Sequence, residues 1–269
     1  MRRLRSIFRL LALVIGATLA SAASAQEEST EELAKKAQNP VADLISLPFQ
    51  SNTNFGVGPF HQPQEILNIQ PVIPISIDQD WNLITRWITP VISQPKLLPT
   101  DHREFGLGDL NPSLFLSPAK PGEIIWGAGP TFLLPTATDQ NLGNHRWGAG
   151  PSVVVLTIQG HWLFGALANN IWSFASTGKG SNVNQMLINP FVNYNLPEGW
   201  YLTSSPDMTA DWLAKGRKWT VPLGGGFGRL IKVDKQPINL QLQAFYNVAT
   251  PKGGAKWQAR FQVQLLFPK

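Results

Sequence analysis

Near its C-terminus the chain alternates. In Trp257-Gln258-Ala259-Arg260-Phe261-Gln262-Val263-Gln264-Leu265-Leu266-Phe267 every odd-numbered position is apolar, and every even-numbered one is polar except Leu266. A period of two over that length commits the backbone to a strand with one apolar face, because successive side chains leave opposite sides of the pleat. The period recurs upstream. Ile238, Leu240, Leu242, Ala244, Tyr246 and Val248 oppose Asn239, Gln241, Gln243 and Asn247, with Phe245 the exception. Trp200, Leu202, Met208, Ala210 and Trp212 oppose Thr203, Ser205, Asp207, Thr209 and Asp211. Strands of soluble proteins run about five or six residues, whereas strands that cross a bilayer need about 9–11. These runs have the second length, and no helical period is found from Ala42 onward.

Candidate strands fall at 44–57, 65–77, 81–93, 105–117, 123–135, 146–158, 161–174, 183–196, 199–212, 217–232, 236–249 and 256–267. The connections alternate in length. Short ones are Asp78-Gln79-Asp80, Pro118 to Gly122, Gln159-Gly160, Pro197-Glu198 and Val233-Asp234-Lys235. Longer ones lie around Pro59 to Gln64, Gln94 to Glu104, Thr136 to His145 and Ala175 to Asn182, and the last two are of intermediate length. An even strand count with this rhythm predicts an all-β fold: a transmembrane antiparallel up-and-down β-barrel of about 12 strands, its long loops outside and its N-terminus periplasmic.

Tryptophan placement agrees. Trp81, Trp126, Trp162 and Trp200 sit near the short-turn ends of strands, and Trp147, Trp172, Trp212, Trp219 and Trp257 near the long-loop ends, with only Trp87 mid-strand. Two aromatic belts are what a barrel places at its two interfaces, because indole is apolar with a polar N–H. Trp162 and Trp172 are ten residues apart, about 25 Å of height for strands tilted near 40°.

Residues 1–25 read as a secretory signal peptide: a basic start (Arg2, Arg3, Arg5), an apolar run from Leu10 to Ala17, and Ala23-Ser24-Ala25 as a cleavage site. The apolar run is too short to span a bilayer. Arg2, Arg3, Arg5 and Arg9 take four of the 22 basic residues with them, leaving 18 against 17 acidic ones, a balance of +1. The basic character of the whole chain therefore gives no reason to expect nucleic acid as a partner. There is no cysteine, so an exported chain of this kind uses neither a disulfide nor a thiolate metal site. Residues 26–41 are expected to form a short periplasmic lead-in: Ser29-Thr30-Glu31-Glu32 fits a capping box, Leu33 to Ala37 favour a helix, and Asn39-Pro40 ends it. Residues 42–269 are the expected barrel.

Six prolines fall inside the candidate strands: Pro71, Pro112, Pro130, Pro151, Pro190 and Pro206. Each lacks a ladder N–H, so bulges or local breaks are expected there, with all six on the apolar, outward face. Two of them share a motif, Trp126-Gly127-Ala128-Gly129-Pro130 and Trp147-Gly148-Ala149-Gly150-Pro151.

Little points to chemistry. His61, His102, His145 and His161 lack metal-ligand spacing. Gly224-Gly225-Gly226-Phe227-Gly228 opens no helix and has no following Lys-Ser/Thr, so a curved strand explains it better than a phosphate loop. Ser152 and His161 could approach across neighbouring strands, but no spacing rule requires it, so no catalytic residue and no cofactor is assigned. The polar face remains. Its lumen-lining candidates are Arg86, Asp109, Asn189, Asn193, Asn195, Asp207, Asp211, Gln241, Gln243, Arg260, Gln262 and Gln264. Neutral amides with a few charges of both signs suit a wet lumen that passes small polar solutes without strong charge selection, or equally an internal hydrogen-bond network that conducts nothing.

Several blocks together carry a resemblance: Ala42-Asp43-Leu44-Ile45-Ser46-Leu47-Pro48-Phe49-Gln50 with Asn52-Thr53-Asn54-Phe55-Gly56, Leu67-Asn68-Ile69-Gln70-Pro71-Val72-Ile73-Pro74, Leu116-Ser117-Pro118-Ala119-Lys120-Pro121, and Asn193-Tyr194-Asn195-Leu196-Pro197. They resemble the MetA-pathway phenol-degradation family of outer-membrane transporters, whose bacterial members often carry the borrowed label neuromedin U. The resemblance spans most of the mature chain. It implies an outer-membrane barrel passing small compounds, hydrophobic or aromatic ones among them, and brings no catalytic motif. One departure from general barrel practice is that Pro268-Lys269 follow the terminal aromatic Phe267.

The expectation is thus a channel or transporter of the bacterial outer membrane for passive passage of small solutes. Its partners would be membrane lipid, a small-molecule solute and, during biogenesis, the barrel-assembly machinery. The main alternative is a non-conducting structural or binding barrel, ahead of a membrane hydrolase and a soluble periplasmic β-protein.

Overall fold

The structure, a computed structural model, describes residues 29–100, 102–178 and 180–268; the expected signal peptide lies outside them. The described chain is a closed antiparallel barrel of 12 staves preceded by one helix, α1 (Thr30–Ala37). Nine staves are single strands: β1 (Ile45–Val57), β4 (Trp81–Gln94), β7 (Ile124–Leu133), β8 (Arg146–Gln159), β9 (Trp162–Ser176), β10 (Asn184–Asn195), β13 (Trp219–Val233), β14 (Gln236–Ala249) and β15 (Trp257–Phe267). The other three are interrupted: β2 (Gln62–Ile69) with β3 (Val72–Ser76), β5 (Glu104–Leu107) with β6 (Asn111–Pro118), and β11 (Trp200–Ser204) with β12 (Met208–Asp211). Each stave pairs with its sequence neighbours, and β15 returns to β1 in an unbroken register from Ile45↔Phe267 to Phe55↔Trp257. Closure leaves no ladder edge unpaired, which a spanning sheet in lipid requires.

Both ends of the described barrel and the short turns share one rim; the described residues of the loops that follow β4, β7, β9, β12 and β14 share the other. The outer surface is apolar. Val153, Val155, Phe164, Leu202, Phe227, Leu242 and Phe261 are all exposed on it. Aromatic rings cluster near both rims. At the short-turn rim Trp81 meets Trp126 edge-on at 6.0 Å, and Trp162 packs on Tyr194 at 4.7 Å. At the long-loop rim Trp212 meets Trp219 at 5.6 Å and Tyr246 packs on Trp257 at 4.8 Å.

Two of the three interruptions fall at the expected prolines Pro71 and Pro206; the third falls at Gly108 to Leu110, just before Pro112. At Pro130, Pro151 and Pro190 the strands continue. Pro130 lies directly opposite Pro151 in the β7–β8 ladder, and both are exposed on the outer face. Their missing N–H groups face away from each other, and there the ladders thin. β6–β7 retains Ser113↔Thr131 and Leu116↔Ala128, and β8–β9 skips Gly150 and Pro151 without changing register.

The interior departs from the alternation rule over half the circumference. From β4 to β10 apolar side chains take many of the inward positions, among polar ones such as Arg86, Ser113, Asn169, Asn189 and Asn193. Ile84, Phe115, Val154, Leu156, Leu163, Leu167 and Phe191 pack into one buried cluster around Val41, which comes from the segment after α1. Where they meet this cluster the staves are apolar on both faces, as strands buried on both sides are. The opposite wall, from β11 through β15 to β2, is polar.

The chain has no cysteine, so single thiols can report the faces of β8. In the folded barrel in micelles, an apolar maleimide is expected to modify Val153→Cys and Val155→Cys at least about tenfold faster than Val154→Cys and Leu156→Cys, because thiol reactivity follows exposure. Equal rates would overturn the facing assigned here.

Candidate functional site in the barrel lumen

The short-turn mouth is occupied. Ser29 caps α1 through a capping box, its Oγ accepting from Glu32 N at 3.1 Å and its own N–H donating to Glu32 Oε2 at 3.4 Å. A helix this short is not stable alone and needs a docking surface. It has one: Leu33 and Ala34 are buried against Leu44, Leu230 and Leu266. Lys35 Nζ donates to Gly160 O in the β8–β9 turn at 2.9 Å. Gln38 Nε2 donates to Asn195 Oδ1 at 2.8 Å, and the following Asn39 accepts from Val41 N at 3.0 Å, turning the chain toward the apolar cluster.

Above this plug the polar wall is tied together by amides that each donate to the next. Gln258 donates to Asn54, Asn54 to Gln64 and Gln64 to Gln94, across β15, β1, β2 and β4. A second relay runs from Gln243 to Gln241, then to the Tyr201 hydroxyl, Asn239, Gln264 and finally the Ala37 carbonyl at the end of α1. Tyr201 reaches this position because its ring lies over Gly228. A Cβ there would stand 2.2 Å from the ring, so the glycine is required by close approach.

The break between β11 and β12 organises the charges. Pro206 has no N–H, and the Ser205 and Pro206 carbonyls leave the ladder, so side chains must satisfy this stretch. Gln243 Oε1 accepts from Ser205 N at 3.1 Å. Asn189 Nδ2 donates to both carbonyls, at 3.2 and 3.0 Å, and to Asp207 Oδ1 at 2.9 Å. Arg260 is buried, and all three of its nitrogens donate. Its Nη1 donates to Ser205 O at 2.7 Å, its Nε to Asn52 Oδ1 at 3.0 Å and its Nη2 to Asp207 Oδ2 at 2.5 Å, while the guanidinium lies 5.1 Å from the Phe245 ring. The apolar exception on β14 is thus the platform under this arginine.

A cavity of about 380 Å³ remains between the polar wall, the apolar cluster and the top of the plug. Arg86, Asn189, Asn193, Asp207, Gln241, Arg260, Gln262 and Gln264 line it. The other sequence candidates lie elsewhere. Asn195 floors the lumen beside α1, accepting from Gln38 and donating to His161 O. Gln243 is buried in the wall behind Gln241. Asp109 sits at the β5–β6 break and holds the 134–145 loop, accepting from Ala137 N and Asn144 N. Asp211 caps the β12–β13 turn through Leu213 N.

Sequence reasoning passed over Gln70, Asn52, Thr203 and residues 36–40, 42 and 44, all of which line the cavity or hold residues that do. Asn52 could have been found by extending the closing register, since it lies directly opposite Arg260. Ser152 and His161 are not brought together. Ser152 pairs with Asn169 and His161 lies in the turn beyond Gln159↔Trp162, roughly 23 Å along the strand at the usual rise. Among the described residues, no group of three or more metal-ligating side chains is found.

A closed ladder, an apolar outer wall, two aromatic rims and a partly polar interior define a transmembrane β-barrel of the outer-membrane type. No family model matches the chain, and no curated protein matches it. Among solved structures, an outer membrane channel from Pseudomonas putida F1 is similar at 15% identity and a TM-score of 0.59, over 83% of this chain and 94% of that one. Outer membrane phospholipase A from Escherichia coli is similar at 12% identity and a TM-score of 0.40, over 90% of this chain and 99% of that one. The CymD monoaromatic hydrocarbon channel is similar at 10% identity and a TM-score of 0.44, over 88% of this chain and 90% of that one. The likeness to the first is one of fold.

Asp207→Asn would leave the buried Arg260 guanidinium without its counter-ion, and because the Asp207 side chain is 40% exposed the barrel should lose about 1–2 kcal/mol of unfolding free energy, less than a fully buried pair would cost. Urea unfolding followed by tryptophan fluorescence measures this.

Proposed function

We propose that the protein is a channel or transporter of the bacterial outer membrane through which small solutes pass passively, with the short turns and α1 on the periplasmic side. The observation that carries this reading is the polar cavity: half of the lumen is packed with apolar side chains, and the other half keeps an open, hydrogen-bonding space. A barrel serving only as a structural element has no need to hold such a space open. Short turns and both barrel ends at one rim support the orientation, because outer-membrane barrels put short turns toward the periplasm. The sequence resemblance to the MetA-pathway phenol-degradation family adds hydrophobic or aromatic compounds to the candidate solutes. The barrel-assembly machinery is the proposed partner in biogenesis.

The plug favours a second reading, a non-conducting barrel that binds rather than passes its ligand, since α1 and Val41 occupy the route to the short-turn mouth. Single-channel recording separates the two. The purified protein should give small discrete current steps in a planar bilayer. Leu33→Asp with Ala34→Asp, which removes the apolar contact of α1 with Leu230 and Leu266, should raise the step size several-fold while the barrel still migrates anomalously unless heated. Silence from both proteins, each folded and inserted, would establish the non-conducting reading.

A further inference from the structure

The two arginines of the lumen differ in one respect. Arg260 spends its hydrogen bonds on Asn52, Ser205 and Asp207. Arg86 donates to Gln70 Oε1 at 2.6 Å, and no described residue forms an ion pair with it. Asp207 attracts it and Arg260 repels it through the lumen, and the carboxylate is already claimed by Arg260. A guanidinium held in a cavity without its own anion is an unsatisfied charge, and its fork matches a carboxylate.

A second observation comes from the facing wall. Thr203 is buried and lines the same cavity, and its Oγ1 has no hydrogen-bond partner among the described residues. A buried hydroxyl without a partner is uncommon and marks a place where the cavity wall has hydrogen-bonding capacity to spare.

The surroundings of Arg86 are apolar on one side. Val72 is its register partner on β3, Ile84 and Ile88 flank it on its own face of β4, and Leu167, Leu187 and Phe191 close the cavity across from the amide wall. We propose that Arg86 anchors a binding site for a small monocarboxylate with a compact apolar body. The carboxylate would meet the Arg86 fork, and the body would lie against Val72, Ile88, Leu187 and Phe191. Inorganic phosphate fits less well, because one unpaired guanidinium supplies half the charge and the apolar wall supplies no donors. This deepens the channel reading and rests on it for the ligand's route into the lumen.

The test is calorimetric titration of the purified protein in micelles with benzoate, with its neutral isostere benzamide and with inorganic phosphate, each corrected for micelles alone. Benzoate should bind about tenfold or more tightly than benzamide, the loss expected for a charge-assisted fork. Arg86→Gln should erase that difference, and Thr203→Val should weaken benzoate by less. Equal binding of benzoate and benzamide, no change in Arg86→Gln, or phosphate binding as tightly as benzoate would each overturn the proposal. If Arg86→Gln does not fold, the comparison of the three ligands on the unaltered protein still decides. Bilayer recording separates the two readings. Current steps with no benzoate binding would end this proposal and leave the channel. Benzoate binding by a silent barrel would keep the site and end the channel.

Discussion

The pairing of β15 with β1 is the constraint on which the rest depends. An open sheet of this length would expose two rows of backbone donors and acceptors to lipid, where each unsatisfied group costs several kcal/mol. The register Ile45↔Phe267 to Phe55↔Trp257 removes both rows at once. It also decides what the lumen contains, because it places Asn52 opposite Arg260, Gln50 opposite Gln262 and Asn54 opposite Gln258 on the inner face. A slip of one residue would reverse one strand against the other, turning its polar side chains to the lipid and bringing either Phe49 and Phe55 or Phe261 and Val263 inside.

Within that ring the interior is built on two different physical principles. Around Val41 it is a core in the ordinary sense, with apolar side chains from β4 to β10 excluding water. Along β11 to β15 and on to β2 it is a hydrogen-bonded wall in which amides satisfy one another in sequence. The residues at the seam between the two, Arg86 above all, have neighbours of both kinds.

Much of the fold was legible because the lipid imposes it. Long alternating runs, paired short and long connections, and tryptophans sorted to two heights all answer to the bilayer rather than to partners in the fold. The capping box of α1 was legible for a similar reason, since Ser29 and Glu32 act on their own backbone. The interior was harder to read. Val154 and Leu156 look, in sequence, like any continuation of an apolar strand, and only the arrival of Val41 explains their inward neighbours. Asp109 reads as a lumen residue by its parity, yet the break at Gly108 to Leu110 turns it to the 134–145 loop. Pro206 announced its break, but the three side chains that repair it, Asn189, Gln243 and Arg260, come from three other strands.

The position of α1 in the chain bears on how the barrel is made. It precedes β1, is joined to it by residues 38–44 alone, and rests on Leu230 and Leu266, which belong to β13 and to the last strand. The seam between the first and last strands therefore closes around an N-terminal segment already tethered at its edge. Closing the barrel and seating the plug are therefore one packing event, in which α1 contributes apolar surface toward which β13 and β15 can gather.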